Sequence, residues 1–467
     1  MARNKVFFIV GSQDLYGEEP LRKVAENSQN IVNYLNKSNK LSADIEFLMV
    51  ARNQQEIITA IKKANNDDDC IGIICWMHTF SPAKMWINGL KLLQKPMLHL
   101  ATQANEFLPW GSIDMDFMNL NQAAHGDREF GYICTRMGIA RKIVAGYYTD
   151  EATLSAIESW ICGAYGVREA QTLRVARIGD NMRNVAVTEG NKVSAQIQFG
   201  FSVNTYGVGD VVECVNSVST EEVKELLNLY EKLYTIPDKS KNSMNSIFEA
   251  AKQEIGLRKF LSEVGAKAFT TTFEDLHGLQ QLPGLSCQRL MADGFGFGAE
   301  GDWKTAAMLR IIKVMTKNVK TSFMEDYTYH LEKGRERILG AHMLEVCPTI
   351  AANKPTLEVH PLGIGGKSDP ARLIFSTVRG KAINCSLLDM GDEFRMLANV
   401  VNTVEADEKM PALPVANAVW IPQPDFKIGV QKWIENGGAH HSVYSQALSV
   451  ETLEDFCRMM NLKMILI

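Results

Sequence analysis

The sequence has no long hydrophobic run, no excess of basic residues and no paired cysteines, and each absence excludes a class of protein. No segment approaches the roughly 18 consecutive apolar residues of a membrane span. Lys and Arg total 49 against 54 Asp and Glu, a net charge of -5, whereas nucleic-acid binding needs clustered basic residues. The nine cysteines are scattered without a Cys-x-x-Cys pair or zinc spacing. We therefore expect a cytoplasmic protein with neither a membrane nor a nucleic acid as partner.

Motifs of several common enzyme classes are also missing. There is no G-x-S-x-G, no H-E-x-x-H and no EF-hand loop, which excludes a serine hydrolase or zincin assignment. Gly366-Lys367-Ser368 fails as a phosphate loop because Pro361 occupies the position of the first glycine. Gly296-Phe-Gly-Ala-Glu-Gly301 matches G-x-G-x-x-G, but the segment before it has the pattern of a helix end. We expect no nucleotide cofactor, and interpret these glycines as a sharp backbone bend beside Glu300.

What is present is the composition of a globular chain of several domains, with 467 residues of which 46% are hydrophobic and 22% charged. In the first third, strand-like apolar segments alternate with segments of helical periodicity. This alternation predicts a parallel sheet with helices on both faces. The predicted strands are Val6–Val10, Ile45–Val50, Cys70–Met77, Pro96–Ala101 and Lys142–Tyr147, and the predicted helices are Ala25–Leu35, Gln54–Ala64, Pro82–Leu93 and Glu151–Cys162.

The remaining two thirds divide into a second α/β region and a β-rich region. The second region has predicted strands Leu173–Ile178 and Ala268–Phe273 and helices Thr220–Tyr234, Asn245–Glu263 and Asp302–Met315. Beyond Thr321, short β-rich segments broken by Gly and Asp predict a mainly antiparallel domain, before a helix at Glu451–Asn461. The prediction is thus an N-terminal α/β domain (1–172), a central α/β domain (173–320) and a β-rich C-terminal domain (321–467).

Several carboxylates and imidazoles in the last third of the chain lie among apolar or glycine-rich neighbours. They are Glu300, Glu325, His342, His440 and His441. A carboxylate in an apolar setting is costly unless it is paired or binds a metal. Two carboxylates and two imidazoles would suit a divalent ion such as Mn²⁺, Co²⁺ or Mg²⁺. The alternative is that each is an ordinary hydrogen-bonded residue, and their long spacings leave both interpretations open.

Glu274, Asp275 and His277 form another polar group, directly after the predicted strand Ala268–Phe273. They could cap a turn, or they could bind a ligand at the carboxyl edge of a parallel sheet.

Taken together, several segments resemble the L-arabinose isomerase family over essentially the whole chain. The matching segments, in order, are Gly11-Ser-Gln-Asp-Leu-Tyr-Gly17, Trp76-Met-His-Thr-Phe-Ser-Pro-Ala-Lys-Met-Trp-Ile-Asn-Gly89, Asp114-Met-Asp-Phe-Met-Asn-Leu-Asn-Gln122 with His125-Gly126, Gly179-Asp-Asn-Met-Arg183, Phe269-Thr-Thr-Thr-Phe-Glu-Asp-Leu-His-Gly278, Gly301-Asp-Trp-Lys-Thr305, Thr321-Ser-Phe-Met-Glu-Asp-Tyr-Thr-Tyr-His330 and Gly437-Gly-Ala-His-His441.

The resemblance implies two Rossmann-like, doubly wound domains and a β-rich C-terminal domain. It implies reversible conversion of L-arabinose to L-ribulose, with D-galactose to D-tagatose as a secondary activity, and one divalent ion per subunit, most often Mn²⁺. The metal ligands it implies are Glu300, Glu325, His342 and His441. The sugar-pocket residues it implies are Gln13, Leu15, Phe80, Gln122, His125, Met182, Phe273 and His440. It also implies a hexamer, in which Gln13, Phe80 and His125 act in a neighbouring subunit's pocket.

Moving a proton between C1 and C2 of a sugar needs an acid–base pair and a means of stabilising an enediolate. Glu300 and Glu325 are our candidates for that pair, acting through a cis-enediol, and a hydride shift remains an alternative. Two other functions stay open: isomerisation of another aldose, or an impaired sugar-binding homologue. The latter rests on one departure, since relatives usually continue past the point where this chain stops, at Lys463-Met-Ile-Leu-Ile467. We expect this shortened C-terminus to lower stability.

Overall fold

The computed structural model describes residues 4–467. Residues 1–3, which open the predicted N-terminal domain, lie outside the described residues. The contacts divide the chain into two units. The first comprises the described residues up to Arg168 together with Glu451–Asn461, and the second comprises Glu169–Val450 together with Leu462–Ile467. Within the described chain, no helix is both long enough and apolar enough to cross a membrane.

The first unit contains a parallel five-stranded sheet in the order β2-β1-β3-β4-β5. This is the strand order of flavodoxin-like doubly wound proteins. The strands are β1 (Lys5–Gly11), β2 (Asp44–Ala51), β3 (Cys70–Trp76), β4 (Met97–Ala101) and β5 (Lys142–Ala145). The helices are α1 (Glu18–Lys37), α2 (Gln54–Asn66), α3 (Ile87–Leu90), α4 (Met115–Leu120), α5 (Ala123–Arg136) and α6 (Glu151–Thr172).

Alternate side chains of β1 pack in two separate hydrophobic cores, because successive side chains of a strand point to opposite faces of the sheet. Val6 and Phe8 pack in one core with residues of α1 and α6. Phe7 and Ile9 pack in the other with residues of α2 and α5. The sheet is therefore covered by helices on both faces, which confirms the prediction and explains the continuous apolar runs of its strands.

The predicted helix Pro82–Leu93 is wrong in length. The chain forms a 3-10 turn at Ala83–Trp86 and then α3, which ends at Leu90. Gly89 lies within this helix, and glycine disfavours helix interiors. A Cβ at Gly89 would lie 2.6 Å from Ile57 Cγ2. The close packing of α3 on α2 therefore requires the residue that weakens the helix.

The second unit begins with a parallel four-stranded sheet in the order β7-β6-β8-β9. Its strands are β6 (Arg174–Ile178), β7 (Ser202–Tyr206), β8 (Ala268–Thr270) and β9 (Gly296–Gly298). Its helices are α7 (Lys192–Phe199), α8 (Val208–Asn216), α9 (Thr220–Leu233), α10 (Lys241–Glu263), α11 (Gly284–Ala292) and α12 (Trp303–Met315). The strand predicted to reach Phe273 ends at Thr270, and the chain turns into a loop.

The glycines of the G-x-G-x-x-G match serve packing and a turn. A Cβ at Gly296 would lie 2.0 Å from the carbonyl oxygen of Ala306, and one at Gly298 would lie 2.2 Å from that of Asp302. Only glycine therefore lets α12 pack this closely on β9. Glu300 and Gly301 then adopt positive φ angles of 59° and 81°, which is the sharp bend predicted beside Glu300.

The rest of the second unit is dominated by antiparallel strands, as predicted. The strands are β10 (Thr321–His330), β11 (Arg337–Ala341), β12 (Thr356–Val359), β13 (Ala371–Ile374), β14 (Gly380–Asp389), β15 (Phe394–Val404), β16 (Asn417–Pro422), β17 (His441–Ser445) and β18 (Lys463–Leu466), with helix α13 (Phe426–Glu435). Six strands run in the order β14-β17-β10-β11-β16-β15, and β14 also pairs with β15, which closes a barrel. β18 adds to β15 in parallel, and β12 and β13 form a separate pair.

The helix α14 (Val450–Met459) lies near the C-terminus in sequence, but its residues from Glu451 onward belong to the first unit. Lys142 is buried on β5, and its Nζ donates to Asp455 Oδ2 at 2.5 Å and to Glu451 Oε1 at 2.8 Å. Ser159 on α6 also donates to Asp455. A buried ammonium needs a counter-charge. Since α14 supplies that counter-charge to Lys142, the first unit needs this helix for its stability.

His78 gives the first unit a defined sensitivity to acid. It is buried just after β3, stacks on Trp76 with ring centroids 4.5 Å apart, and accepts a hydrogen bond from Asn27 Nδ2 at 2.9 Å. Burial lowers its pKa to about 4. The folded state therefore disfavours the protonated form of this imidazole.

We expect the free energy of unfolding to fall by up to about 3 kcal/mol through His78 as the pH drops from about 6.5 to about 4, because the unfolded chain takes up the proton first. His78→Gln should remove this part of the pH dependence, whatever its effect at neutral pH. Urea unfolding across this pH range measures it, with the exposed His277→Gln as control. Equal pH dependence in His78→Gln and the parent would contradict the prediction.

Candidate active site

Three of the predicted site residues follow the carboxyl ends of neighbouring parallel strands in the second unit. Met182 lies after β6, Phe273 after β8 and Glu300 after β9. The loops are tied together, since the Met182 amide donates to the carbonyl oxygen of Glu300 at 3.0 Å. This is the edge at which open parallel sheets bind ligands.

The barrel supplies the other groups from three adjacent strands. Glu325 lies on β10 directly opposite His441 on β17. On its other side Glu325 is opposite Ala341, and His342 follows as the first residue after β11. Cross-strand partners lie on one face of a sheet, so strand register places Glu325 beside His441, whereas His342 reaches Glu325 from just beyond the end of β11.

The two carboxylates and the imidazoles converge. His342 Nε2 lies 3.8 Å from Glu325 Oε2, and His441 Nε2 lies 3.9 Å from Glu300 Oε2. His440 Nε2 is closer to Glu300, at 3.4 Å. The ligand atoms of Glu300, His440 and His441 all lie within 4.8 Å of one another, close enough to share a metal ion. We refer to Glu300, Glu325, His342, His440 and His441 as the carboxylate–imidazole cluster.

Two further carboxylates orient the buried imidazoles of the cluster. His441 Nδ1 lies 3.1 Å from Asp302 Oδ2, and His342 Nδ1 lies 2.5 Å from Glu345 Oε2. Each carboxylate accepts a hydrogen bond from Nδ1–H, which leaves the Nε2 lone pair directed at the cluster. His441 Nε2 is buried and has no hydrogen-bond partner among the described residues. A carboxylate behind a histidine whose other nitrogen is free is the usual arrangement around a bound metal.

The surroundings shift the two glutamates in opposite directions. Burial tends to raise the pKa of Glu300, but the hydrogen bond from His440 and the nearby His441 outweigh it, so the pKa is lowered. Burial raises the pKa of Glu325, and its neighbouring imidazoles only partly offset this. Asp302 is fully buried, yet the charge of Lys304 and the bond from His441 hold its pKa well below the ordinary value. The carboxylate behind His441 therefore stays ionised at neutral pH.

The donor set of this cluster fits a divalent ion. Nitrogen and carboxylate oxygen ligands suit Mn²⁺, Co²⁺ or Mg²⁺. The lone pair of His441 Nε2, which has no hydrogen-bond partner among the described residues, is available to bind such an ion. Rings of Phe323 and Phe273 lie beside His342, with centroids 5.1 Å and 6.1 Å away. The cluster thus combines polar ligands with apolar walls, as binding sites for small molecules do.

The remaining predicted pocket residues outside the cluster lie in the first unit, on the loops that follow β1 and β3 and near the start of α5. Phe80 stacks on His125 with ring centroids 4.3 Å apart, and His125 Nδ1 lies 3.3 Å from Gln122 Oε1. Gln13 and Leu15 follow β1, and Leu15 is 83% exposed. β1 and β3 are neighbours where the strand order reverses, which is the ligand-binding position of this topology. The structure thus groups Phe80, Gln122 and His125.

The polar group Glu274, Asp275 and His277 forms a turn that supports the neighbouring loop. Glu274 Oε2 accepts from the Arg183 amide at 2.9 Å, and Asp275 Oδ2 accepts from the Asp180 amide at 3.0 Å. His277 is exposed. The two acidic side chains therefore position the loop that carries Met182.

Sequence reasoning missed Asp302, Glu345 and Lys304 as functional residues. The sequence shows only that two of them lie close to cluster residues: Asp302 is two residues beyond Glu300, and Glu345 is three beyond His342. Neither spacing identifies an imidazole partner, and Asp302 contacts a histidine 139 residues away. Only the folded chain shows these pairs.

The fold and the site define an α/β enzyme with a carboxylate–imidazole cluster suited to a divalent ion. Family models match the chain in three parts: the L-arabinose isomerase N-terminal domain at residues 1–172, the central domain at 174–318 and the C-terminal domain at 320–463. The chain belongs to the L-arabinose isomerase family.

Individual relatives agree with the family models. The L-arabinose isomerase of Geobacillus stearothermophilus is 54% identical over 464 residues, covering 99% of this chain and 94% of the relative. That of Clostridium beijerinckii is 55% identical over 461 residues, with the same coverage. A periplasmic sugar-binding protein of an ABC transporter from Legionella pneumophila covers 68% of this chain and 95% of its own at 10% identity. The TM-score of that match is 0.15.

Asp302→Asn should weaken Mn²⁺ binding by about 10- to 100-fold, because the amide no longer fixes the proton on His441 Nδ1. Asparagine still caps a helix well, so the N-terminus of α12, where Asp302 accepts from the Thr305 amide, should survive. Free Mn²⁺ measured by electron paramagnetic resonance gives the affinity. Asp293→Asn, whose carboxylate pairs with Arg258, is the control. An unchanged affinity in Asp302→Asn would show that the hydrogen bond to His441 is not needed.

Proposed function

We propose that this chain interconverts L-arabinose and L-ribulose, with D-galactose and D-tagatose as a slower pair. The observation that carries the proposal is the convergence of Glu300, Glu325, His342 and His441, in a chain 54% identical to an L-arabinose isomerase. The carboxylates offer acid–base chemistry and the imidazoles offer metal ligands. An aldose–ketose isomerisation needs both.

The reaction moves one carbon-bound proton from C2 to C1 and one hydroxyl proton from O2 to O1, so that C1 is reduced and C2 is oxidised. Glu300 and Glu325 are 15% and 19% exposed, respectively, and both face the imidazoles of the cluster. In our proposal one carboxylate takes the proton from C2 of the aldose and returns it at C1 through a cis-enediol, while the other carboxylate moves the hydroxyl proton from O2 to O1. Their partial burial keeps bulk water from competing for the proton. Opposite surroundings suit the two glutamates to different roles.

Glu300, Glu325, His342 and His441 would hold a divalent ion, most suitably Mn²⁺. When bound, such an ion stabilises negative charge on the sugar oxygens as a Lewis acid. The chain's own contribution is orientation: hydrogen bonds to Asp302 and Glu345 hold the proton of each imidazole on Nδ1 and turn each Nε2 toward the glutamates. His440 donates toward Glu300 and offers a further group for a sugar hydroxyl.

We further propose a homohexamer in the cytoplasm, in which Gln13, Phe80 and His125 of one subunit complete the sugar pocket of another. Support comes from exposed apolar side chains in the segment that precedes His125. Phe107 and Trp110 are 76% and 80% exposed. Large exposed apolar side chains in one segment are typical of an interface.

Chelator-treated protein should form no ketose from L-arabinose, and added Mn²⁺ should restore the activity, because the cluster otherwise lacks a stabiliser of the enediolate. The colorimetric ketose assay measures it, with a panel of other aldopentoses run in parallel. Activity that survives complete chelation would contradict the metal assignment. Activity on another aldose alone would reassign the substrate.

Sharing of the pocket predicts complementation between two inactive variants. Glu325→Gln removes a cluster carboxylate and His125→Ala removes a pocket residue of the first unit, so each alone should be nearly inactive. In mixed oligomers about a quarter of the sites would combine both intact halves. Ketose formation after co-refolding measures this. Two variants of the same residue, Glu325→Gln and Glu325→Ala, are the control mixture. If the co-refolded protein forms oligomers of the same size as the active parent but no ketose, Glu325 and His125 belong to a site within one subunit.

A further inference from the structure

The loop between β6 and α7 doubles back on the segment that carries Glu300. This loop, residues 179–191, contains Met182, whose amide donates to the Glu300 carbonyl. Asn181 is buried, and its Nδ2 donates to the carbonyl oxygens of Thr188 at 2.8 Å and Gly301 at 3.1 Å. The first half of the loop is thus tied to the residues just before α12.

Lys304 ties the second half of the loop. It lies in the first turn of α12 and is only 2% exposed. Its Nζ donates to the carbonyl oxygen of Val187 at 3.0 Å and to that of Glu189. The same nitrogen lies 3.6 Å from Asp302 Oδ1. A buried ammonium is costly without such partners, so this placement fixes the loop as firmly as it fixes the lysine.

The two sets of partners belong to different parts of the site. The carbonyls belong to the loop that carries Met182, whereas Asp302 orients His441 in the cluster. Val187 also packs on the core that includes Ala439, the residue before His440. Lys304 therefore connects the loop and the histidine through one side chain, without itself facing the cluster.

We propose that Lys304 is a positioning residue for sugar binding: it holds the loop 179–191 against the cluster so that Met182 forms a fixed wall of the pocket. This inference rests on the proposed function for its substrate. It does not rest on it for the loop geometry, which can be measured separately.

Lys313 offers a matched control on the same helix. It is 1% exposed, and its Nζ donates to the Thr321 carbonyl at 2.7 Å and to Asn318 Oδ1 at 3.0 Å. It therefore makes the same kind of buried contact but does not touch the loop. Lys304→Met and Lys313→Met should both lower the melting temperature, and only the first should change the loop.

In Lys304→Met we expect amide hydrogen exchange in residues 181–191 to rise by about tenfold or more. With Mn²⁺ at saturation, because Lys304 also contacts Asp302, we expect the KM for L-arabinose to rise by about tenfold. We expect a smaller change in kcat, because the loop contributes binding rather than proton transfer. In Lys313→Met both quantities should stay within about twofold of the parent. Lys304→Gln, which keeps one short donor, is measured in the same way should Lys304→Met fail to fold.

Loop exchange and KM that change equally in the two lysine variants would overturn the proposal and leave Lys304 a structural residue. Failure of the proposed function looks different, since the parent protein with Mn²⁺ would then form no ketose from L-arabinose. In that case the hydrogen-exchange comparison still decides whether Lys304 holds the loop.

Discussion

The site depends on two hydrogen bonds, from His441 to Asp302 and from His342 to Glu345. Each imidazole has two nitrogens, and a buried carboxylate on one of them decides which lone pair the cluster can use. The fold is arranged to supply these carboxylates. Asp302 caps α12 and is therefore fixed by a helix end, whereas Glu345 also accepts from the Leu344 amide. The geometry of the cluster is thus set by backbone elements rather than by flexible side chains.

Much of the fold could be predicted because its strands are buried on both faces and have continuous apolar runs, as in β3. The three-domain α/β and β-rich arrangement is confirmed, while the exact boundaries at 172 and 320 stay a prediction. Two kinds of feature were beyond the sequence. One is a local conflict in the short helix after Pro82, where close packing on Ile57 requires a glycine at position 89, although glycine disfavours helix interiors. The closure of the barrel through β14 and β15 is a long-range pairing that no periodicity encodes.

For the site, the sequence supplied residue types and the resemblance supplied their grouping. Spacing alone left Glu300, Glu325, His342 and His441 open between a shared site and separate residues. Strand register resolves part of this question, since Glu325 and His441 are directly paired. Asp302, Glu345 and Lys304 were missed because their partners are chosen by tertiary contact, and a buried polar residue looks the same in sequence whether it caps a helix or orients a ligand.

The first unit is discontinuous, and this affects how the protein is made. Its sheet is complete by β5, but Lys142 on that strand is buried against Asp455, which is synthesised after the whole second unit. While the ribosome is still translating, the N-terminal unit holds an ammonium without its counter-charge and lacks one covering helix. Such a nascent unit is less stable than the finished one and exposes apolar surface that chaperones bind. Packing of α14 against β5 and α6, rather than completion of the first sheet, is therefore the event that completes folding of the N-terminal unit.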